Sequence, residues 1–391
     1  MNAAQLRSSL TCSLLTACHA LVLLACSVTT GLAHADNGIT DTTITIGASV
    51  VLSGPLGPQT VEYGQGSNLY FDALNQKGGV HGRKIIYKTL DDGFDVAKAA
   101  ENTRKLIQED KVFLIYHNTG TAHTAAILPL AAENKTIIFG PVTGAASFRE
   151  KFNHHVFNVR ASYANEATAI IKQLTQVGLT KVVVFYQDDG LGNTVLTEIK
   201  KAAEAQKFEL TGFVKLDPKK PDFKVAAAQI EKLSPQALVM GTAGKTFSDL
   251  VKAVYDTPAR PAYYGLSIVN SSGLAKALGP QARGIVLSQV MPSLRDPSVS
   301  VVSEYLAALK AQSATTSPSS SQFEGFLHAK LLTEGLRKAG RNLTTESLIK
   351  AFESSGEISF GKFTARYTPQ AHLGSSYVEL GILDTDGQLR R

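Results

Sequence analysis

At 391 residues, with 44% of them apolar and a mean hydropathy near zero, the chain is long enough for two compact domains and is not disordered in bulk. Its formal net charge of +6 is dispersed, with no basic run and no aromatic residues interleaved among basic ones, so nucleic acid is excluded as an expected partner.

The chain opens with Arg7, an apolar run over residues 10–28 and then "GLAHADNG" with small residues at Ala33 and Ala35. This is the layout of a secretory signal over residues 1–35, with cleavage expected between Ala35 and Asp36, which predicts an exported protein. An anchoring helix is the alternative, and a lipid anchor at Cys18 or Cys26 is a second. All three cysteines, Cys12, Cys18 and Cys26, lie in this segment. The mature chain would hold none, which excludes disulfides, thiolate metal sites and cysteine nucleophiles there.

From Thr43 a short β-branched run alternates with a longer helical period. "TITIGASVVL", "RKIIYKTL", "VFLIY" and "TIIF" read as strands, with helices over 63–76, 95–109 and 122–134 between them. In "KGGVHGRKIIYKTLDDGFD", Gly78 predicts a left-handed helix stop, Gly79 and Gly82 a turn, and Asp95 the cap of the next helix. Asp91 and Asp92 at the strand end have two readings: solvated turn carboxylates, or a general acid/base pair.

After "HVFNVR" the alternation restarts. Helices are expected over 165–177, 192–206, 223–233 and 246–255, and strands at "KVVVFY", "FELTGFVKL", "ALVMG", "AYYG" and "GIVLSQ". Beyond Met291 the pattern is helical over 298–311, 322–339 and 345–353, with a polar loop at 313–321 and a last strand in "SYVELGIL". Repeated βα units argue for an α/β fold with parallel sheets, and two such sets imply a cleft between lobes.

Enzyme motifs are missing. There is no His-Glu-x-x-His and no phosphate loop, "GQGSN" lacks the third glycine of a dinucleotide fingerprint, and "GLSIV" around Ser267 lacks the glycine of a nucleophile elbow. His117 and His123 bracket one loop and His154 and His155 are adjacent. With no carboxylate at helical spacing to complete a site, they are read as surface or capping residues, and no metal or cofactor is expected. Two strand-to-helix loops, "HNTGTAHT" and "GPVTGAAS", have two readings: ordinary capping by Thr and Ser, or, since they follow adjacent strands, a cradle whose glycines, hydroxyls and helix-start amides suit a carboxylate or another polar head group. In the second set, "RASYANE" brings Tyr163 to the crossing between lobes, and Asp189 in "FYQDDGLGN" either faces a ligand cation or caps a helix.

The export signal and the ordered stretches "ITIGASVVLSGPLG", "FDALNQKGGVHGRKI", "LDDGFD", "NVRASY" and "VVVFYQDDGLG" together resemble the type I periplasmic solute-binding proteins of the leucine/isoleucine/valine-binding family. The resemblance implies two Rossmann-like lobes, residues 36–161 with 291–362 and residues 162–290 with 363–391, joined by three crossover strands. Hinges are expected near Ala161, Val290 and Phe363. It implies a non-catalytic, monomeric protein that closes on a small solute and delivers it to an inner-membrane ABC permease. A periplasmic sensor module and, more remotely, an exported α/β enzyme are the alternatives.

The resemblance implies ligand contacts at Asn118, Gly120, Thr121, Val142, Thr143 and Gly144 in the first lobe and at Tyr163, Gln187, Thr242 and Ser267 in the second, with Asp189 beside them. Three departures stand out. Ser267 takes the place of the glutamate that meets a ligand ammonium, Leu191 and Ala243 replace contact tyrosines, and Phe94 and Thr119 fall where the family has a disulfide. The expected solute is amino-acid-like, an organic acid or an amide.

Overall fold

The computed structural model describes residues 37–54, 57–313, 315–384 and 388–390. The expected signal, its cysteines and its cleavage point lie outside them.

The first βα set runs β1 (Thr43–Val50), α1 (Gly57–Gln76), β2 (Lys84–Asp91), α2 (Val96–Gln108), β3 (Leu114–Tyr116), α3 (Thr121–Glu133), β4 (Ile137–Phe139) and β5 (Val156–Phe157). These strands form one parallel sheet in the order β2-β1-β3-β4-β5. The second set runs α4 (Tyr163–Gln176), β6 (Val182–Gln187), α5 (Gly190–Ala205), β7 (Gly212–Leu216), α6 (Phe223–Leu233), β8 (Ala237–Gly241), α7 (Lys245–Tyr255), β9 (Ala262–Gly265), α8 (Ser271–Leu278) and β10 (Val286–Gln289). Its strands are parallel from β7 to β10. Because helices cover such sheets on both faces, their strands are apolar throughout: Ile137–Phe139 and Ala237–Gly241 are buried at every position.

The chain then returns through α9 (Ser300–Gln312), α10 (Ser320–Ala339) and α11 (Thr345–Glu353), whose apolar faces join the first core. Three strands unread in the sequence follow: β11 (Glu357–Phe360), β12 (Phe363–Thr368) and β13 (Ala371–Gly374), a small antiparallel sheet. Phe363, Ala365 and Tyr367 pack in the first core, against the expectation that residues from 363 onward travel with the second lobe. Of the described residues beyond them, β14 (Glu379–Leu383) joins the second sheet antiparallel to β10, and β15 (Leu389–Arg390) pairs antiparallel to β14 at the sheet edge.

The turn after α1 is built as its glycines predict, with positive φ at Gly78, Gly79 and Gly82 (95°, 72° and 83°). The Asp95 side chain accepts the Lys98 amide at 2.8 Å and caps α2. Asp91 and Asp92 are architectural. Asp91 accepts the Leu52 and Gly93 amides, each at 2.9 Å, and the Ser53 hydroxyl; buried Asp92 accepts from Ser49 Oγ and the Phe94 amide. Those bonds hold the Asp91 carboxyl down to about 2, so it stays an acceptor and does not act as a proton donor.

Helices α1 and α10 cross unusually close. A Cβ on Gly66 would lie 1.7 Å from the Gln322 carbonyl oxygen, and one on Gly325 would lie 2.0 Å from that of Tyr63. At the crossing Ser67 Oγ sits 3.1 Å from the Gly325 carbonyl oxygen and 2.9 Å from the Tyr116 hydroxyl. This contact fixes the first half of α1, which carries Gln59, Thr60 and Tyr63 toward the carboxyl ends of the strands.

Candidate functional site

The loops after β3 and β4 extend the parallel pairing of their strands past the sheet edge. Thr119 and Val142 form a bridge, and the Val142 amide donates to the Asn118 carbonyl at 2.8 Å. Thr121 and Thr143 hydroxyls meet at 2.8 Å, and Thr143 Oγ1 accepts the Ala145 amide. Beneath this hairpin-like shelf, Arg149 donates to the carbonyls of Ala145, Thr143 and Arg160. Burial, then the charge of Arg160, brings the Arg149 guanidinium down to about 10.

The shelf leads into the first crossing. Gly144 accepts the Tyr163 amide at 2.7 Å, and a Cβ on Gly144 would lie 2.4 Å from Tyr163 Cδ1, so only glycine lets this ring lie flat on the loop. Tyr163 then faces a cavity at the crossing between the lobes. From the first lobe it is lined by Gln59, Thr60, Tyr63, Phe94, Thr119, Gly120, Thr121 and Val142, and from the second by Tyr163, Leu191, Ala243 and Ile268.

The lining contains no ionised side chain and is largely aromatic or aliphatic. Its polar character comes from hydroxyls and from two helix starts. Helix α3 begins after Gly120 (φ 103°) and α7 after Gly244 (φ 57°), both without a side-chain cap. Most other helices carry such a cap, for example Asp95, Asp189, Asp222 and Asn270. Thr121 and Ala243, next to these open ends, line the cavity from opposite lobes, so uncommitted amide dipoles border it on both sides.

Of the residues singled out from sequence, Gly120, Thr121, Val142 and Tyr163 line this space, and Asn118, Thr143 and Gly144 support it. Asn118 Nδ2 donates to Thr124 Oγ1 at 2.8 Å inside the loop. Gln187, Asp189, Thr242 and Ser267 are not in the lining, because they spend their polar atoms on one another or on the fold. Thr242 Oγ1 donates to Gln187 Oε1 at 2.5 Å, Gln187 Nε2 donates to Asp189, and Asp189 caps α5 by accepting the Leu191 and Gly192 amides. The cap reading of Asp189 thus holds over the ligand-cation reading.

Ser267 accepts a hydrogen bond from Arg160, while its amide donates to Glu166 Oε2 at 2.8 Å; that same oxygen accepts from Ser288 Oγ at 2.6 Å. Arg160 is the largest fully buried side chain among the described residues, with Glu324 at 3.6 Å on its other side. Burial opposes the charge on Arg160, but the combined negative fields of Glu324, Tyr63, Glu166 and Tyr163 outweigh it and raise the guanidinium further; burial likewise pushes the Glu324 carboxyl up against the pull of Arg160. One arginine therefore joins a helix of the first lobe to a loop of the second.

Several residues escaped sequence reasoning. Gln59, Thr60 and Tyr63 follow "LSGPLG", a glycine-bearing strand-to-helix loop of the same kind as "HNTGTAHT" and "GPVTGAAS". Leu191, Ala243, Phe94 and Thr119, noted only as departures, all line the cavity. His117 and His123 are buried rather than superficial, at 1% and 4% exposure. His123 stacks on Phe94 with ring centroids 4.5 Å apart. Burial, reinforced by Arg160, depresses the His117 imidazole to about 3.

Two lobes built on parallel sheets, meeting over a cavity at the carboxyl ends of their strands, define a two-lobed α/β binding protein. The chain belongs to the periplasmic binding protein family, whose model matches residues 43–387. It is similar to the Leu/Ile/Val-binding protein BraC3 of Rhizobium johnstonii, with 22% identity over 85% of this chain and 88% of that one. Among solved structures, a substrate-binding periplasmic protein from Ralstonia solanacearum superposes with a TM-score of 0.81 and 28% identity, covering 88% of this chain and 99% of that one. An extracellular ligand-binding receptor from Verminephrobacter eiseniae gives a TM-score of 0.82 and 26% identity, covering 90% of this chain and all of the other, 100%. The fold is thus the type I periplasmic binding fold. The family consists of binding proteins, in keeping with the missing enzyme motifs.

Proposed function

We propose that the protein captures a small organic acid or amide with an apolar body between its lobes and presents it to an inner-membrane ABC permease. The observation that carries this reading is the composition of the cavity wall: Tyr63, Phe94, Tyr163, Leu191, Ala243 and Ile268 around a rim of Thr119, Thr121 and two uncapped helix starts, with no carboxylate. A carboxylate or carbonyl at that rim would receive hydroxyl and amide hydrogen bonds, stronger when the acceptor is charged. A buried α-ammonium would lack a counter-charge, which costs several kcal/mol. That separates this cavity from a leucine site even though curated relatives are named Leu/Ile/Val-binding proteins.

Closure would turn on three crossings. We place two near Ala161 and Val290. The third we move from Phe363 to residues 375–378, because β13 ends at Gly374 against the first core and β14 starts at Glu379 in the second sheet. The test is a calorimetric and thermal-shift screen of the mature chain against small carboxylic acids, their amides, and leucine and valine. A hundredfold excess of a true ligand over its Kd should stabilise the protein by about 2.7 kcal/mol. Binding of leucine or valine more tightly than any carboxylic acid or amide would overturn the ligand class, and turnover of a bound compound would overturn the binding-protein reading.

A further inference from the structure

We propose that the first lobe contains a binding site for a Zn²⁺-like divalent cation, made by His117, Glu324 and His328 directly behind the cavity wall. Their candidate ligand atoms all lie within 4.8 Å of one another. Glu324 and His328 stand one turn apart on α10, an i,i+4 pair that presents both groups on one face, and His117 comes from the end of β3. All three are buried, at 1% exposure for His117, 4% for Glu324 and 0% for His328.

Three independent features point to a missing partner. His117 Nε2, both ring nitrogens of His328 and Glu324 Oε1 make no hydrogen bond. Buried polar atoms without a hydrogen bond are costly and rare, and here four converge, with only the long contacts of Glu324 Oε1 to Arg160 Nε at 3.6 Å and to His328 Nε2 at 3.7 Å between them and their surroundings. His117 adopts a left-handed backbone (φ 58°), an uncommon and strained state for a residue with a side chain, and holds its ring 4.6 Å from that of His328. Finally, Gly140 (φ 64°) leaves room for His328, since a Cβ there would lie 2.8 Å from Nδ1.

The donor set decides the class of ion. Two imidazole nitrogens and one carboxylate oxygen form the three-ligand set of open zinc sites, where bonds of about 2.0–2.1 Å in a tetrahedron bring ligand atoms to roughly 3.3 Å from one another. Side-chain rotation closes the remaining gap, and the fourth position falls to water or hydroxide. The guanidinium of Arg160, 3.6 Å from Glu324, opposes a cation. Glu324 and Glu166 both act on that guanidinium and offset its field. The site is therefore one of moderate affinity. Tyr63 packs edge-on to His117 at 5.1 Å and also lines the cavity, so this ring stands between the cluster and the cavity.

The experiment uses the mature chain, stripped with a chelator and then titrated with Zn²⁺ and with Co²⁺ as a spectroscopic probe. A parallel sample is refolded from urea in the presence of each metal, so that burial does not block access. One ion per chain retained after desalting, visible Co²⁺ bands of low-coordinate geometry, and a raised Tm are expected. H328Q and E324Q should each reduce retention to background, whereas H81Q, at an exposed histidine remote from the cluster, should bind as wild type does. Should H328Q fail to fold, E324Q carries the test alone. Absence of a retained ion in both the titrated and the refolded wild type, or equal retention in wild type and E324Q, overturns the site and leaves ordered water as the partner of these groups.

Discussion

Replacing Gly66 by alanine tests how the α1–α10 crossing positions the cavity wall. The new methyl carbon would stand 1.7 Å from the Gln322 carbonyl oxygen and 3.0 Å from the Phe326 amide nitrogen, both backbone atoms that cannot swing aside. A carbon–oxygen contact relaxes at about 3.3 Å or more, so the helices must part by roughly 1.6 Å. Overpacking against backbone falls at the upper end of the usual 1–3 kcal/mol, and stretching the Ser67 hydrogen bond adds about 1. Alanine's better helix propensity returns up to about 1 kcal/mol. The net expectation is a loss of about 2 to 3 kcal/mol. Gly64 is the control: it lies in the same helix, and a methyl carbon added there would meet nothing within 4 Å, so Gly64→Ala should be neutral or stabilising. The chain has no tryptophan, so urea unfolding is best followed by far-UV circular dichroism. Equal midpoints for the two variants would refute the close-crossing account.

Thr121→Val should weaken binding of a carboxylate ligand by roughly 1.5 to 3 kcal/mol, the range for a hydrogen bond to a charged group, and Thr143→Ala, which removes only the support of Thr121, should weaken it by less, as read by calorimetry. Because the two hydroxyls bond each other, the double variant should lose less than the sum. Ser267→Ala should leave ligand affinity unchanged but lower stability by about 1 to 3 kcal/mol, since it strips a partner from buried Arg160; a selective loss of affinity would return Ser267 to the site. Asp91→Asn should flatten the acid limb of the stability curve. The folded carboxyl is depressed to about 2, so its contribution is complete above the unfolded value near 4 and disappears as pH falls through 2. Allowing for its exposure, the effect is about 1 kcal/mol, and coincident wild-type and variant curves between pH 4 and 2 would contradict it.

The alternation of strands and helices was legible because parallel strands buried on both faces are continuous apolar runs between amphipathic helices. β8, β9, α6 and α11 have the limits expected from sequence. The β11–β13 strands were not legible: short, with Glu357, Arg366 and other polar residues interleaved, they form a small sheet of their own in which β12 buries alternate residues. Around the cavity, the glycine and threonine loops were legible as strand-to-helix loops, since helix starts at strand ends need those residue types. Gln187, Thr242 and Ser267 misled because a polar residue near a cleft has two uses, and only packing shows that these satisfy each other and Arg160. The Glu324–His328 spacing was present in the sequence as "EGFLH", but its partner His117 is more than two hundred positions away.

The first core takes in Val299, Tyr305, Phe323, Phe352 and Tyr367, whereas the second core lies within residues 183–287 apart from Leu383 and the flanking Leu389. On a ribosome the chain therefore inverts the usual order of domain folding. The segment made first must wait, its sheet covered on one side only, until nearly the whole polypeptide has been synthesised, while the middle of the chain can already collapse. The amino-terminal part therefore cannot reach a finished state while its missing helices are still being made.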